Sequence, residues 1–265
     1  MTIEAGVAGH PIGHSLSPLI HTAWIRAAGL DARYGAFGPE TPQRFRALVQ
    51  RGRSGGLRGL NVTAPYKAPA LSLADEVGAT AAACGSANLL LFEAGRVIAD
   101  STDGAGLMAA LAEQAAGLEV AGQPVVVLGA GGAARAAVAA LAAAGAEVAV
   151  VNRTPARAEA LTAEVGGVVG GPGATAGAAL IVNALSVPPE IDVEALRPDA
   201  VLMDMTYRPL ITPFLAAGRA RGLTTVDGLA MLIGQARPSF SALFGVEPPG
   251  IDVRALALAA LEGEA

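Results

Sequence analysis

Short apolar runs alternate with amphipathic stretches over the first hundred or so residues, the order expected of an α/β layer. The runs "EAGVAG", "RYGAFG" and "LRGLNV" predict strands, and residues 18–28, 42–51 and 67–83 predict helices. "ANLLLFEAGRVIAD" predicts two further strands around a turn at Ala94 and Gly95. A helix is expected soon after Asp103, and a domain hinge is expected there too. From Val125 the pattern changes to a second α/β unit, with strands "PVVVLG", "EVAVVN", "LIVNAL" and "AVLMDM".

The apolar stretch from Val125 to Val151 has the length of a membrane span, but Arg135 and Glu147 interrupt it and its glycines divide it into strand, turn and helix. With 52% hydrophobic and only 15% charged residues, the 265-residue chain has the composition of a large ordered core. The formal net charge is −5 and no run of Lys or Arg occurs, so neither a nucleic acid nor an anionic membrane is an expected partner. One cysteine, Cys84, supports no internal disulfide, and the acidic, Gly/Pro-broken start "MTIEAGVAGHPIGHS" is unlike an export signal. A cytoplasmic protein is expected.

"VVVLGAGGAARAAVAALAAAG" reads as strand, tight turn and helix, with Gly129, Gly131 and Ala134 at G-x-G-x-x-A spacing. The first glycine permits the turn and the second lets backbone approach a pyrophosphate. The small third residue allows close helix packing, and the helix N-terminus faces the phosphate charge. About twenty residues on, where an NAD site carries an acidic residue for the ribose, this chain has Asn152, Arg153, Thr154 and Arg157. A guanidinium binds a 2′-phosphate that a carboxylate would repel, so NADP is the expected cofactor.

"GHPIGHSLSPLIH", "NVTAPYK", "SANL", "STDGAG", "GAGGAARA", "NRTPARA", "DMTYRPLITP" and "GLAMLIGQARPSF" occur in the order of the successive motifs of the shikimate dehydrogenase family, and the chain resembles that family over nearly its whole length. The resemblance implies a two-domain α/β protein. A substrate domain of residues 1–102 plus 228–265 would close over a Rossmann-type, doubly wound NADP domain of residues 103–227, across an interdomain cleft. It implies reversible reduction of 3-dehydroshikimate to shikimate, by a monomer or homodimer. The alternative is a paralogue acting on quinate or a related cyclohexane carboxylate.

The resemblance further identifies Lys67 as the catalytic lysine and Asp103 as its partner. Hydride reduction of a ketone leaves an alkoxide that needs a proton or a fixed positive charge, and a lysine ammonium supplies either. By family correspondence Ser15 and Ser17 bind the substrate carboxylate; two apart, they would face the same way in an extended segment. Asn61, Thr63, Asn88 and Gln235 surround the substrate hydroxyls, and Tyr207 reaches the carboxylate or the nicotinamide region. Ala130, Gly132, Ala133, Met205 and Gly228 join the cofactor set. The only histidines, His10, His14 and His21, are separated by Pro11 and Pro18 and have no acidic or Cys ligand nearby, so no metal is expected. Thr22, Leu89, Ser101, Leu185 and Leu243 depart from the family pattern and bear on substrate preference.

Overall fold

The computed structural model describes residues 2–171 and 173–263; Met1, Pro172, Glu264 and Ala265 lie outside the described residues. The chain divides into two compact units, Met1–Thr102 with Gln235–Ala265, and Asp103–Gly234. The first contains β1 (Ile3–Ala8), α1 (Ser17–Ala27), β2 (Ala32–Phe37), α2 (Pro42–Arg51), β3 (Gly59–Val62), α3 (Lys67–Ser72), β4 (Glu76–Val77), α4 (Ala79–Cys84), β5 (Leu89–Glu93) and β6 (Arg96–Asp100). The second contains α5 (Asp103–Gln114), β7 (Pro124–Leu128), α6 (Gly132–Ala143), β8 (Glu147–Val151), α7 (Pro155–Val165), β9 (Val168–Val169), β10 (Leu180–Asn183), β11 (Val201–Asp204), α8 (Pro213–Ala220) and β12 (Thr224–Val226). Then follow α9 (Gly228–Phe244) and α10 (Val253–Glu262).

The sheet of the first unit runs β2-β1-β3-β5-β6-β4, parallel from β2 to β3 and antiparallel around β5. The sheet of the second runs β12-β11-β10-β7-β8-β9, with every pair parallel. That order reverses direction beside β7, as in doubly wound dinucleotide-binding folds. Its central strands are buried on both faces: Val125 and Val127 enter one core cluster, while Val126 and Leu128 enter another. This double burial explains why those strands read as continuous apolar runs and not as alternating ones.

Two elements differ from the sequence expectation. The helix expected over residues 67–83 is two short helices split by β4, because Asp75 leaves the helix to exchange hydrogen bonds with Val97 and Glu76–Val77 pair with Ile98–Ala99. The return to the first unit comes at Gln235, inside α9, and not at 228. The early part of that helix carries Ala230 and Met231 into the core cluster built on β7 and α6, which holds it with the second unit. The apolar stretch 125–151 is the strand, helix and strand β7, α6 and β8. No helix among the described residues is long and apolar enough to cross a membrane.

Candidate active site

In the first unit, Lys67 is half-buried and opens α3 at the end of a braced turn. Thr63 N–H donates to the Ala8 carbonyl and Tyr66 N–H to the Thr63 carbonyl, at 2.9 and 3.0 Å. Tyr66 is stacked on Phe45 with ring centroids 4.5 Å apart, and its hydroxyl donates to the Pro39 carbonyl at 2.5 Å. The Lys67 carbonyl accepts from Ala87 N–H, which ties this turn to the segment leading to Asn88. The lysine is thus mounted on a turn whose own residues are anchored in the core. Thr63 is half-buried on that turn.

Asn61, Asn88, Thr102, Gln235 and Ser239 converge in the same unit. Asn88 Nδ2 donates to Thr102 Oγ1 at 3.0 Å and to Gln235 Oε1 at 3.2 Å, while Asn88 Oδ1 accepts from Thr102 N–H at 2.8 Å. Asn61 Nδ2 donates to Ser239 Oγ at 2.9 Å and to the Asn88 carbonyl at 3.3 Å; Asn61 Oδ1 accepts from the Tyr34 hydroxyl at 2.8 Å. Burial pushes the Tyr34 phenol well above its ordinary value, so it stays a donor. Thr102 and Ser239 are central to this cluster, and sequence reasoning passed over both. Thr102 was within reach, since it lies inside "STDGAG", while Ser239 carries no local signal. Asp103 follows Thr102 directly, opens α5 in the second unit and is 5% exposed.

Ser15 is half-buried and Ser17 buried. Leu16 between them is in the right-handed helical region, φ −83° and ψ −7°, so they do not lie on an extended segment. Instead Ser17 N–H donates to Ser15 Oγ at 3.3 Å, and the pair forms the entry to α1. His21, four residues further along, belongs to a core cage. Its ring is stacked on Tyr34 at 4.0 Å and packed against Trp24 and Phe240. Neither ring nitrogen has a hydrogen-bond partner, and burial lowers its pKa from 6.5 to about 3, which keeps the imidazole neutral.

In the second unit, β7 ends at Leu128 and Gly129 adopts φ +114°, a conformation that L side chains rarely take. Gly131, with φ −86°, leads into α6, and a Cβ placed there would meet nothing, so the space above the backbone is open to a ligand. Ala134 is fully buried in the core cluster, as close helix packing requires. Ala130, Gly132 and Ala133 lie along the same turn and first helical residues and are half-buried. At the end of β8, Asn152 Nδ2 donates to the Thr154 carbonyl at 2.9 Å. Arg153 and Arg157 are exposed and have no carboxylate partner among the described residues. An open glycine turn at a helix N-terminus with two unpaired guanidiniums after the next strand suits a dinucleotide carrying a 2′-phosphate.

A buried cluster at the ends of β10 and β11 fixes the neighbouring loops. Asp204, 1% exposed, accepts from Asn183 Nδ2 at 3.1 Å, Thr206 N–H at 2.9 Å and Thr212 Oγ1 at 2.8 Å. Asn183 Oδ1 accepts from Leu185 N–H at 3.2 Å. The loop carrying Met205 and Tyr207, both half-buried, is therefore pinned at its root. A Cβ on Gly228 would come within 2.6 Å of the Met205 and Thr206 backbone, so only glycine fits there.

The departures from the family pattern fall into distinct surroundings. Leu185 Cδ2 lies 3.2 Å from where a Cβ on Gly129 would sit. Leu89 is buried in β5, and Leu243 is core, against Gly59. Ser101 is buried with its hydroxyl unpartnered. Thr22 is half-buried on α1.

A family profile described as the shikimate dehydrogenase substrate binding domain matches residues 7–90, and one described as shikimate / quinate 5-dehydrogenase matches residues 110–170. The curated shikimate dehydrogenase (NADP(+)) of Caulobacter vibrioides is 51% identical, over 97% of this chain and 95% of its own. The crystal structure of shikimate 5-dehydrogenase from Thermus thermophilus in complex with NADP(H) and shikimate is similar with a TM-score of 0.86 and 36% identity, covering 93% of this chain and 95% of that one. Quinate dehydrogenase from Corynebacterium glutamicum in complex with NAD has a TM-score of 0.88 at 30% identity, covering 97% and 99%. With a relative half identical along almost its entire length, this chain belongs to the shikimate dehydrogenase family.

Proposed function

We propose that this chain is an NADP-dependent shikimate dehydrogenase that interconverts 3-dehydroshikimate and shikimate. The observation that carries the reading is its 51% identity, over 97% of the chain, to a curated shikimate dehydrogenase (NADP(+)). Bound NADPH supplies the hydride in the reducing direction. Lys67 gives a proton to the oxygen of the ketone as its carbon takes the hydride, so the carbonyl becomes a secondary alcohol. In the oxidising direction the same amine takes that proton back. Asp103 is its acidic partner in the family pattern. Ser15 and Ser17 grip the carboxylate. Thr63, Asn88 and Gln235 meet the ring hydroxyls, and Tyr207 the carboxylate or nicotinamide region.

On the cofactor side, Gly129 to Ala133 cradle the pyrophosphate, Asn152, Arg153, Thr154 and Arg157 the adenosine end, and Met205 and Gly228 the nicotinamide end. Arg153→Ala is expected to weaken NADP⁺ binding by roughly ten- to hundredfold, the worth of one charge-assisted bond, with little change in NAD⁺ binding. Titration of both cofactors checks this, and equal losses would make Arg153 a structural residue.

The reading is tested by measuring NADP⁺ and NAD⁺ reduction with shikimate and with quinate. The small Ser15 and Ser17 side chains match a shikimate-type pocket, whereas the extra hydroxyl of quinate sits on the carbon bearing the carboxylate. Efficiency with shikimate and NADP⁺ is expected to exceed that with quinate and either cofactor by at least about tenfold. Quinate turnover equal to or above shikimate turnover would overturn the substrate assignment.

A further inference from the structure

We propose that Asn61 and Ser239 are positioning residues that, through the Asn88 side chain, set the Gln235 amide against the ring hydroxyls. The inference rests on the dehydrogenase reading above and reassigns one residue within it.

Both N–H donors of Asn61 and its carbonyl oxygen are engaged inside the fold. An asparagine amide has two N–H donors and one carbonyl oxygen. The Asn88 backbone carbonyl only accepts, so the end of Asn61 facing it is the NH2 group, and the oxygen end faces the Tyr34 hydroxyl. The second N–H goes to Ser239 Oγ. Asn61 is 5% exposed, and both donors and its acceptor are engaged by groups of this chain. A substrate hydroxyl accepting from the Asn61 amide would have to displace one of these bonds.

Ser239 is fully buried on α9, one helical turn after Gln235. Its hydroxyl donates to the Gln235 carbonyl at 3.1 Å, accepts from Asn61 Nδ2, and lies 3.0 Å from Thr102 Oγ1. Asn61 therefore ties β3 to α9 across 178 residues of sequence, and through the Asn88 carbonyl it also fixes the residue before β5. The consequence falls on the two amides beyond. Asn88 Nδ2 points to Gln235 Oε1, which turns the NH2 end of Gln235 the other way and fixes it as a donor. Small displacements of such groups are costly, since a misplacement of about 1 Å reduces rates by up to a hundredfold. Tyr34 supports the far end of the chain of bonds, and the His21 ring stacked on it holds the phenol in place.

The test is a double-mutant cycle in the full-length protein with shikimate and NADP⁺. Ser239→Ala is expected to lower kcat/KM by about tenfold, mainly through KM, as one hydrogen bond's worth of alignment is lost. Tyr34→Phe, which opens no cavity, is expected to cost about threefold to fivefold. In a Gln235→Ala background the Ser239→Ala step is expected to cost no more than about twofold, because the residue it positions is gone. Unchanged NADP⁺ affinity and an unchanged near-ultraviolet spectrum show that the variants are folded. If Ser239→Ala fails to fold, Tyr34→Phe in the same background carries the same comparison. A Ser239→Ala variant within twofold of wild type, or a full tenfold loss in the Gln235→Ala background, would overturn the positioning role. A wild-type protein that does not oxidise shikimate overturns the dehydrogenase reading and this inference with it, whereas an active wild type with insensitive variants overturns this inference alone.

Discussion

Lys67→Ala is expected to lower kcat by about a hundredfold or more while changing the dissociation constant of shikimate far less. In the proposed mechanism the Lys67 side chain acts when negative charge develops on the substrate oxygen, and an interaction made mainly in the transition state appears in kcat. The fold around it should survive the change. Lys67 is half-buried, and its turn is held by Tyr66, which keeps its ring stack on Phe45 and its bond to the Pro39 carbonyl. Steady-state rates together with equilibrium shikimate binding separate the two parameters. A folded Lys67→Ala protein with near wild-type kcat would remove the lysine from the chemistry.

Acid is expected to destabilise the first unit through His21. Its pKa is about 3 in the folded chain against 6.5 for an ordinary histidine. Above pH 6.5 both states hold the imidazole neutral, and it adds no pH dependence. As the pH falls below 6.5 the unfolded chain takes up a proton that the folded chain refuses, and stability drops by up to about 1.4 kcal/mol per pH unit. Carried down to pH 3 the loss approaches about 5 kcal/mol, comparable with the whole stability of a small domain. The groups facing the ring are Tyr34 on β2, Trp24 on α1 and Phe240 on α9, with the Arg237 guanidinium over the Trp24 ring at 5.7 Å. None is an anion, so nothing there stabilises an imidazolium. His21→Phe keeps the aromatic packing and removes the titration. Urea unfolding followed by the fluorescence of Trp24, the single tryptophan, should show about 1.6 kcal/mol less loss between pH 6.5 and 5 in the variant than in wild type. Equal losses in the two proteins would rule His21 out as the source.

The second unit was more legible in sequence than the first for a physical reason. In β7, β10 and β11 both strand faces are buried, so apolar runs alone mark the strands, and Gly129 announces its turn through a backbone need that only glycine meets easily. Strands as short as β9 and β12 leave too few residues for such a pattern. In the first unit the residues 67–83 have helical composition throughout, and the break at Asp75 comes from pairing with Val97, a partner 22 residues away. Lys67 and the Asn88 segment were readable because they sit in local motifs. The bond from Asn61 to Ser239 was not, because no periodicity links positions 178 residues apart. His21 shows the same limit from another side: three histidines near the N-terminus raise the question of a ligand cluster, and only the surroundings place this one in an aromatic cage.

The division of the chain also sets an order of events during synthesis. Asp103–Gly234 is one uninterrupted stretch, so its sheet has all six strands as soon as that stretch has left the ribosome. The first unit is translated earlier but finishes later. Until Gln235 and the residues after it emerge, Trp24 lacks the Phe240 ring, Gly59 lacks Leu243 and Asn61 lacks Ser239. The nascent first unit therefore waits with an apolar face and a buried-type amide uncovered while more than a hundred further residues are added, the interval in which exposed surface favours misassembly. Long-range closure of this kind also slows folding, because its chain entropy is lost before the contacts that compensate it are made. Gln235 and Ser239 on α9 are thus among the late pieces the first unit receives, followed by α10.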